Sequence, residues 1–441
     1  MTIRQKKFVT AVVSNQAGEI VELEGYAAVG MAGSLRVPLS LEKTISLPHG
    51  GELLFLPDRS PIVYNIEKRK FETLRWNPRL PDEAVFPVAA FNSPGYLLAY
   101  VTGYRERRGA GRLPLFSYGA VGWSAGKFRS AVILVDNEKR QDLRLMQRRA
   151  VLAGVYAMRR KMPKNRLRAH LEKCALSYGC PAAKNFFIGR CEAPLPTSRW
   201  CNARCMGCLS LQKDEAVPST QERINFTPTP EEIAEIAIEH IGRVEKGVVS
   251  FGQGCEGEPL LAAHVIEPAI RRIRSATLLG TVNMNTNASR PDILDRLFDA
   301  GLDSVRVSIN STRESCYTAY FRPKGYRYPD VLRSIDTAIQ KRKFVSINYL
   351  NLPGFTDSPE EVESLSSFLN RHPIQMIQWR NLNFDPVAYW RLMNACGPHG
   401  RPIGMATLLE CIKNSFPGIR FGYFNPPKEK FHAMDRSKSR F

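Results

Sequence analysis

No stretch of the chain approaches the run of about 20 apolar residues that a membrane-spanning helix requires. The basic start Met1-Thr2-Ile3-Arg4-Gln5-Lys6-Lys7 leads into an alternating strand pattern instead of the continuous apolar core of a signal peptide. Both absences point to a cytoplasmic protein. Histidine is scarce, seven in 441 residues, with no pair at metal-ligand spacing, and no nucleophile–histidine–carboxylate set can be assembled. His240, on the apolar side of a predicted helix, reads as a core residue. Acidic residues are outnumbered, 42 Asp and Glu against 62 Lys and Arg, for a net charge of +20. The excess is concentrated between Val101 and His170, where 17 Lys and Arg face four Asp and Glu. Such a field would attract RNA or an acidic surface. Yet no RNA-binding motif accompanies it, and aromatics such as Tyr104 and Phe116 are too sparse to argue stacking. A solvated basic helix is the plainer explanation.

What is present is an ordinary globular balance, 44% hydrophobic and 24% charged, in a length that allows two or three domains. Residues 1–135 read as a mainly antiparallel β domain. Runs at Phe8 to Val13 and Glu19 to Ala27, Leu53 to Leu56 and Ile62 to Ile66, and Val85 to Phe91 and Tyr96 to Val101 flank turn clusters, which are hairpin signals. Residues 136–183 form a basic helical linker. In it Leu143, Met146, Ala150, Gly154 and Ala157 recur at helical spacing, Pro163 ends the pattern, and Leu167, Leu171 and Cys174 line a second helix.

From 184 to 380 strands and helices alternate. The predicted strands are Phe186 to Ile188, Val248 to Phe251, Val282 to Asn285, Val305 to Ile309, Phe344 to Tyr349 and Ile374 to Trp379. A helix capped by Thr229 with Pro230 at its first position follows the first of them, and further helices run near 260–274, 291–300, 329–341 and 359–370. Six such repeats predict an α/β fold, a partial (β/α)6 TIM-like barrel with parallel strands and reactive loops at their C-terminal ends. Residues 381–441 form a C-terminal extension.

Ten cysteines in a reducing compartment favour metal binding over disulfides, and six lie between Cys174 and Cys208. Cys201, Cys205 and Cys208 converge if the loop curls round a small centre. Thiolates are the usual ligands of a 4Fe-4S cluster, and three of them leave one iron open for a non-protein ligand. The alternative is zinc with Cys191 or Cys180 as fourth ligand, although only Cys205 and Cys208 have the two-residue knuckle spacing common in zinc sites. Upstream, Cys174, Cys180 and Cys191 suggest a second, auxiliary cluster, or else Cys174 completes an apolar helix face. The sequence Gly252-x-Gly254-x-x-Gly257 imitates a dinucleotide fingerprint but lacks the acidic residue about 20 positions on.

The Cys-x3-Cys-x2-Cys loop after the first strand of a strand–helix series resembles the radical S-adenosylmethionine (SAM) superfamily. The resemblance covers roughly Lys184 to Arg380. It implies a 4Fe-4S cluster on Cys201, Cys205 and Cys208, SAM on the open iron, and reductive cleavage to a 5'-deoxyadenosyl radical that abstracts hydrogen from a substrate. The electron would come from a low-potential donor such as flavodoxin or ferredoxin. Glu256-Gly257-Glu258-Pro259 is similar to the family's Gly-Gly-Glu-Pro motif, which assigns Gly257 and Glu258 to the SAM amino group. Thr286, Asn287, Ser308 and Asn310 resemble the strand-end contacts to ribose and carboxylate, and Asn351 the fifth-strand loop near the adenine. The family often has an aromatic residue before the last cysteine; here it is Gly207. Trp379, Arg380 and Asn381, ending the sixth strand, are the candidates for substrate contact, the substrate being RNA, a peptide or a metabolite. A non-catalytic, zinc-stabilised RNA-binding protein is the alternative function.

Overall fold

The computed structural model describes residues 7–139, 142–212 and 217–432, so the basic run Met1 to Lys6 lies outside it. In the N-terminal half, Thr10–Ser14 and Ile20–Ala32 pair antiparallel across the turn at Asn15, whose Oδ1 accepts the N–H groups of Ala17 and Glu19 at 3.1 and 3.0 Å. The other two predicted hairpins are not pairs. Glu52–Phe55 pairs with Phe86–Phe91, whereas Arg59–Asn65 pairs with Ile20–Ala32, Lys70–Thr73 and Tyr104–Glu106. Tyr96–Leu98 pairs with Val132–Leu134. Turn residues dictate that the chain reverses, not that the flanking strands meet, and here they swap neighbours between a large antiparallel sheet and a separate two-stranded one.

Three helices follow: α1 (Arg148–Lys161), α2 (Arg166–Leu176) and α3 (Pro181–Ile188). The buried face of α1 is Val151, Val155 and Met158, one position out of phase with the predicted Ala150–Ala157 stripe. Leu143 belongs to a separate 3-10 turn capped by Asp142, so the periodicity does not run through it. Gly154 lies so close to the Phe187 carbonyl that a side chain there would overlap α3. Part of the basic excess is paired with acids, as in Arg166–Glu232, Arg168–Glu172 and Lys161–Glu239. Phe186 to Ile188, predicted as a strand, is the end of α3. Pro181 starts that helix and Gly189, at φ 67°, ends it in the left-handed region.

The parallel sheet has seven strands in sequence order: Glu192–Pro194, Val248–Phe251, Thr281–Thr286, Ser304–Ile309, Phe344–Asn351, Met376–Asn381 and Arg420–Gly422. It is a curled half-barrel, and it runs past residue 380 to a seventh strand that the sequence reading did not contain. Between the strands lie α4 (Pro230–Arg243), α5 (Ala263–Ala276), α6 (Pro291–Ala300), α7 (Glu314–Phe321), α8 (Tyr328–Gln340) and α9 (Pro359–Arg371). Then come α10 (Pro386–Ala395) and α11 (Met405–Ser415). The start of α4 is a capping box between Thr229 and Glu232.

Register sorts the sheet into two faces. Val249, Val282, Val305, Val345, Ile377 and Trp379 alternate onto the face that buries apolar area against the helices. Their neighbours build a polar inner face: Asn283 bridges Ser250 and Ser304, and Arg306 Nη1 donates to Gln378 Oε1 at 2.9 Å. Asn425, just after the seventh strand, lies across this face. Its Nδ2 donates to Glu192 Oε1 at 2.8 Å and Asn285 Oδ1 at 3.2 Å, and its Oδ1 accepts from Gln378 Nε2 at 3.0 Å. One side chain thereby ties the first, third and sixth strands together.

The N-terminal half docks beside the sixth strand. Asn381 Oδ1 accepts the Leu98 N–H at 2.9 Å and its Nδ2 donates to the Tyr96 carbonyl at 2.8 Å. A buried ion pair, Arg59–Asp385 at 3.4 Å, fastens the same half to the start of α10.

His240 is a fully buried core residue whose Nε2 donates to the Cys191 carbonyl at 3.1 Å. Burial pushes its pKa from 6.5 down to about 4. The unfolded chain binds the proton first, so the stability held by the neutral ring is complete above pH 6.5 and is lost as pH falls towards 4. A shift of that size amounts to about 3 kcal/mol. Urea unfolding of wild type and His240→Leu across that window should show the extra acid sensitivity in the wild type alone.

Candidate functional site

The cysteine loop leaves the sheet after Pro194 and is anchored by a buried carboxylate. Glu256 Oε2 accepts the N–H groups of Thr197 and Ser198 at 2.8 and 2.9 Å, and Oε1 those of Gly252 and Gln253 at 2.7 and 2.8 Å. Four donors meet the four lone-pair positions of a carboxylate, so the loops leaving the first and second strands are clamped to one group. Burial pushes Glu256 up to about 7 against the pull of those bonds. A proton on either oxygen would displace a donor, and the geometry therefore holds the ionised form.

Two backbone bonds continue the clamp: Gly257 N–H to the Ser198 carbonyl at 2.7 Å and Glu258 N–H to the Trp200 carbonyl at 2.8 Å. A Cβ on Gly257 would overlap the Trp200 carbonyl, which rigid backbone cannot yield cheaply. Gly257→Ala is expected to cost about 1–3 kcal/mol, the usual range for overpacking. Its cost should appear with a lower iron content at the adjacent cysteines, measured by unfolding and metal analysis; unchanged values for both would remove the clamp from the account.

Glu258 is buried and faces the cysteines. Its Oε1 accepts from Leu260 N–H at 3.1 Å and from the Thr286 hydroxyl, and Oε2 from Asn287 N–H at 2.8 Å. Burial raises it to about 7. Three donors leave one lone pair free for a further donor, such as an ammonium group. The Asn287 side chain reaches Asn202 Oδ1 at 2.8 Å, which joins the end of the third strand to the cysteine loop.

Cys201 is pushed up to about 11, by burial first and then by the charge of Glu258. Cys205 is driven well above its usual value, by burial and then by Cys201 and Cys208. The three thiols thus lie near enough to raise one another. Arg223 Nη2 lies 3.5 Å from Cys208 Sγ and supplies local positive charge. Gly207 has a structural cause: a Cβ there would stand 2.8 Å from Tyr320 Oη and 3.2 Å from Asn383 Oδ1. The aromatic ring beside the loop comes from α7 instead.

The remaining predicted positions divide. Ser308 faces inward beside Asn348, and Arg380 Nε donates to Asn348 Oδ1 at 3.2 Å with its guanidinium 3.9 Å over the Tyr423 ring. Four others have side-chain atoms engaged within the protein. Asn310 is buried and its Nδ2 donates to the Cys316 carbonyl and Tyr389 Oη, between α7 and α10. Asn351 Nδ2 is spent on the Tyr349 and Arg380 carbonyls. Trp379 lies on the helix-covered face between Tyr349 and Phe421, and Asn381 is occupied by the N-terminal half. The residue before and the residue after Arg380 point away from it because side chains alternate along a strand.

The predicted trio Cys174, Cys180 and Cys191 is also revised. Cys180 N–H bonds to the Cys174 carbonyl at 3.0 Å, whereas the Cys191 carbonyl serves the start of the second strand and His240. Among the described residues, the trio whose ligand atoms lie within 4.8 Å of one another is His170, Cys174 and Cys255. The three loop thiols are not so gathered, as ligands of one tetrahedral ion would be; wider spacing suits a polynuclear cluster. Three thiols, a neighbouring cation and an acidic group with a free lone pair fit a 4Fe-4S cluster with SAM beside it. Glu256 and Cys255 were missed as site residues because Thr197 and Ser198, and His170 and Cys174, are distant in sequence.

A model of the radical SAM superfamily matches residues 195–366. GTP 3',8-cyclase of Chlorobaculum tepidum is 27% identical over 222 residues, 50% of this chain and 60% of that protein. Molybdenum cofactor biosynthesis protein 1 of Mus musculus is 25% identical over 221 residues, 50% of this chain and 31% of that protein. The matches therefore span less than two thirds of either relative. Among solved structures, a radical SAM methyltransferase from Sphaerobacter thermophilus aligns over 52% of this chain and 64% of its own, at 14% identity and a TM-score of 0.38. Among the described residues no helix is long and apolar enough to cross a membrane.

Proposed function

We propose, from the match of residues 195–366 to the radical SAM superfamily, that the chain is an enzyme whose 4Fe-4S cluster is held by Cys201, Cys205 and Cys208 and whose SAM lies against Gly257 and Glu258. The observation that carries this reading is the tie between Glu258 and the cysteine loop, through Glu258 N–H to the Trp200 carbonyl at 2.8 Å and the Asn287 side chain to Asn202 Oδ1 at 2.8 Å. With both cofactors bound, the site would supply one-electron reductive cleavage of the sulfonium and so begin hydrogen abstraction from a substrate. Glu256 keeps the two loops in register; Glu258 offers its free lone pair to the SAM ammonium; Tyr320 and Asn383 close the side at Gly207 against water. A low-potential donor such as flavodoxin or ferredoxin would deliver the electron.

The inner face favours an anionic substrate. Arg306 is half-buried with its buried Nε lacking an acceptor, and desolvation, then the Arg380 charge, lowers it to about 9, still protonated at neutral pH. A matched relative is named for action on GTP, which makes nucleoside triphosphates the first compounds to test. Arg380→Ala should leave reductive SAM cleavage intact but uncouple it from substrate turnover. The check is the ratio of 5'-deoxyadenosine to product, with loss of cluster iron the contrary result. The function itself is tested by dithionite-dependent formation of 5'-deoxyadenosine from SAM in anaerobic protein; none formed by cluster-loaded protein would overturn it.

A further inference from the structure

We propose that His170, Cys174 and Cys255 hold a single zinc ion, a second metal centre distinct from the cysteine loop. His170 and Cys174 stand four residues apart on α2, so both project from one face of the helix on successive turns. Cys255 arrives from a different element, the loop that leaves the second strand. The three ligand atoms lie within 4.8 Å of one another, with His170 Nε2 3.5 Å from Cys174 Sγ.

That spacing is the discriminating fact. Around a tetrahedral zinc, with bonds of roughly 2.3 Å to sulfur and 2.0–2.1 Å to nitrogen, ligand atoms stand roughly 3.5–3.8 Å apart. Thiolates on a 4Fe-4S cluster bind separate irons and must stand farther apart. Two thiolates and an imidazole are also a borderline-soft set that suits zinc. Cys174 and Cys255 are buried and His170 is half-buried, so the centre is shielded from solvent on the sulfur side. The Cys180 backbone is tied to the same place through its N–H bond to the Cys174 carbonyl, and among the described residues the gathered ligand atoms are those of His170, Cys174 and Cys255.

The position gives the ion a task. It would staple α2 to the loop that carries Glu256 and Glu258, and so hold the helical linker against the clamp around the cysteine loop. The site uses none of Cys201, Cys205 or Cys208, and it stands or falls apart from the proposed radical chemistry.

Metal analysis of the full-length chain, purified anaerobically from zinc-supplemented cells, tests it. Wild type is expected to carry one zinc per chain. Cys174→Ser and Cys255→Ser should each lower zinc at least tenfold, while a Cys201→Ala/Cys205→Ala/Cys208→Ala variant loses iron and keeps zinc. Wild type without zinc, or zinc retained in both serine variants, would overturn the proposal. Because a serine variant that misfolds would also lose zinc, Co(II) is added to the metal-stripped triple-alanine variant. A thiolate-to-cobalt charge-transfer band with intense tetrahedral d–d absorption is expected, and its absence counts against the site.

Discussion

Glu256→Gln is expected to destabilise the chain by roughly 3–5 kcal/mol. The substitution puts an amide NH2 opposite two of the four backbone N–H groups that the carboxylate now accepts, and it weakens the other two bonds by removing the charge. A buried donor left without an acceptor costs about 1–3 kcal/mol, and bonds to a charged group are the stronger kind. The loss falls on Thr197–Ser198 and Gly252–Gln253 together, the two segments that set the cysteine loop against Gly257 and Glu258. Urea unfolding should show the lower stability, and reconstitution should show less iron retained. Stability within 1 kcal/mol of wild type and full iron content would mean that the backbone bonds at Gly257 and Glu258 hold the loops unaided.

Asp385→Ala should be comparably damaging, through the interface between the two halves of the chain. Asp385 Oδ1 caps α10 by accepting Val387 and Ala388 N–H at 3.0 and 3.1 Å, and Oδ2 accepts Leu113 N–H at 3.2 Å and pairs with Arg59. Both partners of the pair are at most 2% exposed. Breaking a buried pair from one side costs about 3–5 kcal/mol because the other charge stays buried, and losing the cap adds about 1 kcal/mol. Arg59→Met/Asp385→Ala should recover part of the loss by removing the stranded charge. If the double variant is no more stable than Asp385→Ala, the cap and not the ion pair carries the effect.

The sequence was most legible where a strand is short, apolar and bounded by turn residues. Val248–Phe251 and the helix Pro291–Ala300 lie at the residues their patterns predict. It misled at Phe186 to Ile188, because three apolar residues in a row suit a buried strand and a helix end equally; Pro181 and Gly189 were the deciding punctuation. The cysteine loop was read from its spacing, and Glu258 through the resemblance of Glu256-Gly257-Glu258-Pro259 to a family motif. The inner face could have been read as well, since Ser304, Arg306 and Ser308 alternate with Val305, Val307 and Ile309, and Gln378 and Arg380 with Ile377 and Trp379. That period separates Arg380 from Trp379 and Asn381. No local pattern could bring Asn425 across the sheet or Cys255 to His170 and Cys174, because those contacts join residues 47 or more positions apart and depend on how separate elements pack.

The claim on which the rest depends is that Cys201, Cys205 and Cys208 hold a cluster whose open iron takes SAM. Electron paramagnetic resonance of the dithionite-reduced, anaerobically reconstituted chain, recorded with and without SAM, tests it most directly. A reduced 4Fe-4S signal that shifts when SAM is added, and that vanishes in the variant with all three cysteines replaced by alanine, is predicted. A cluster signal indifferent to SAM, or a colourless protein with zinc on these three residues, would contradict it.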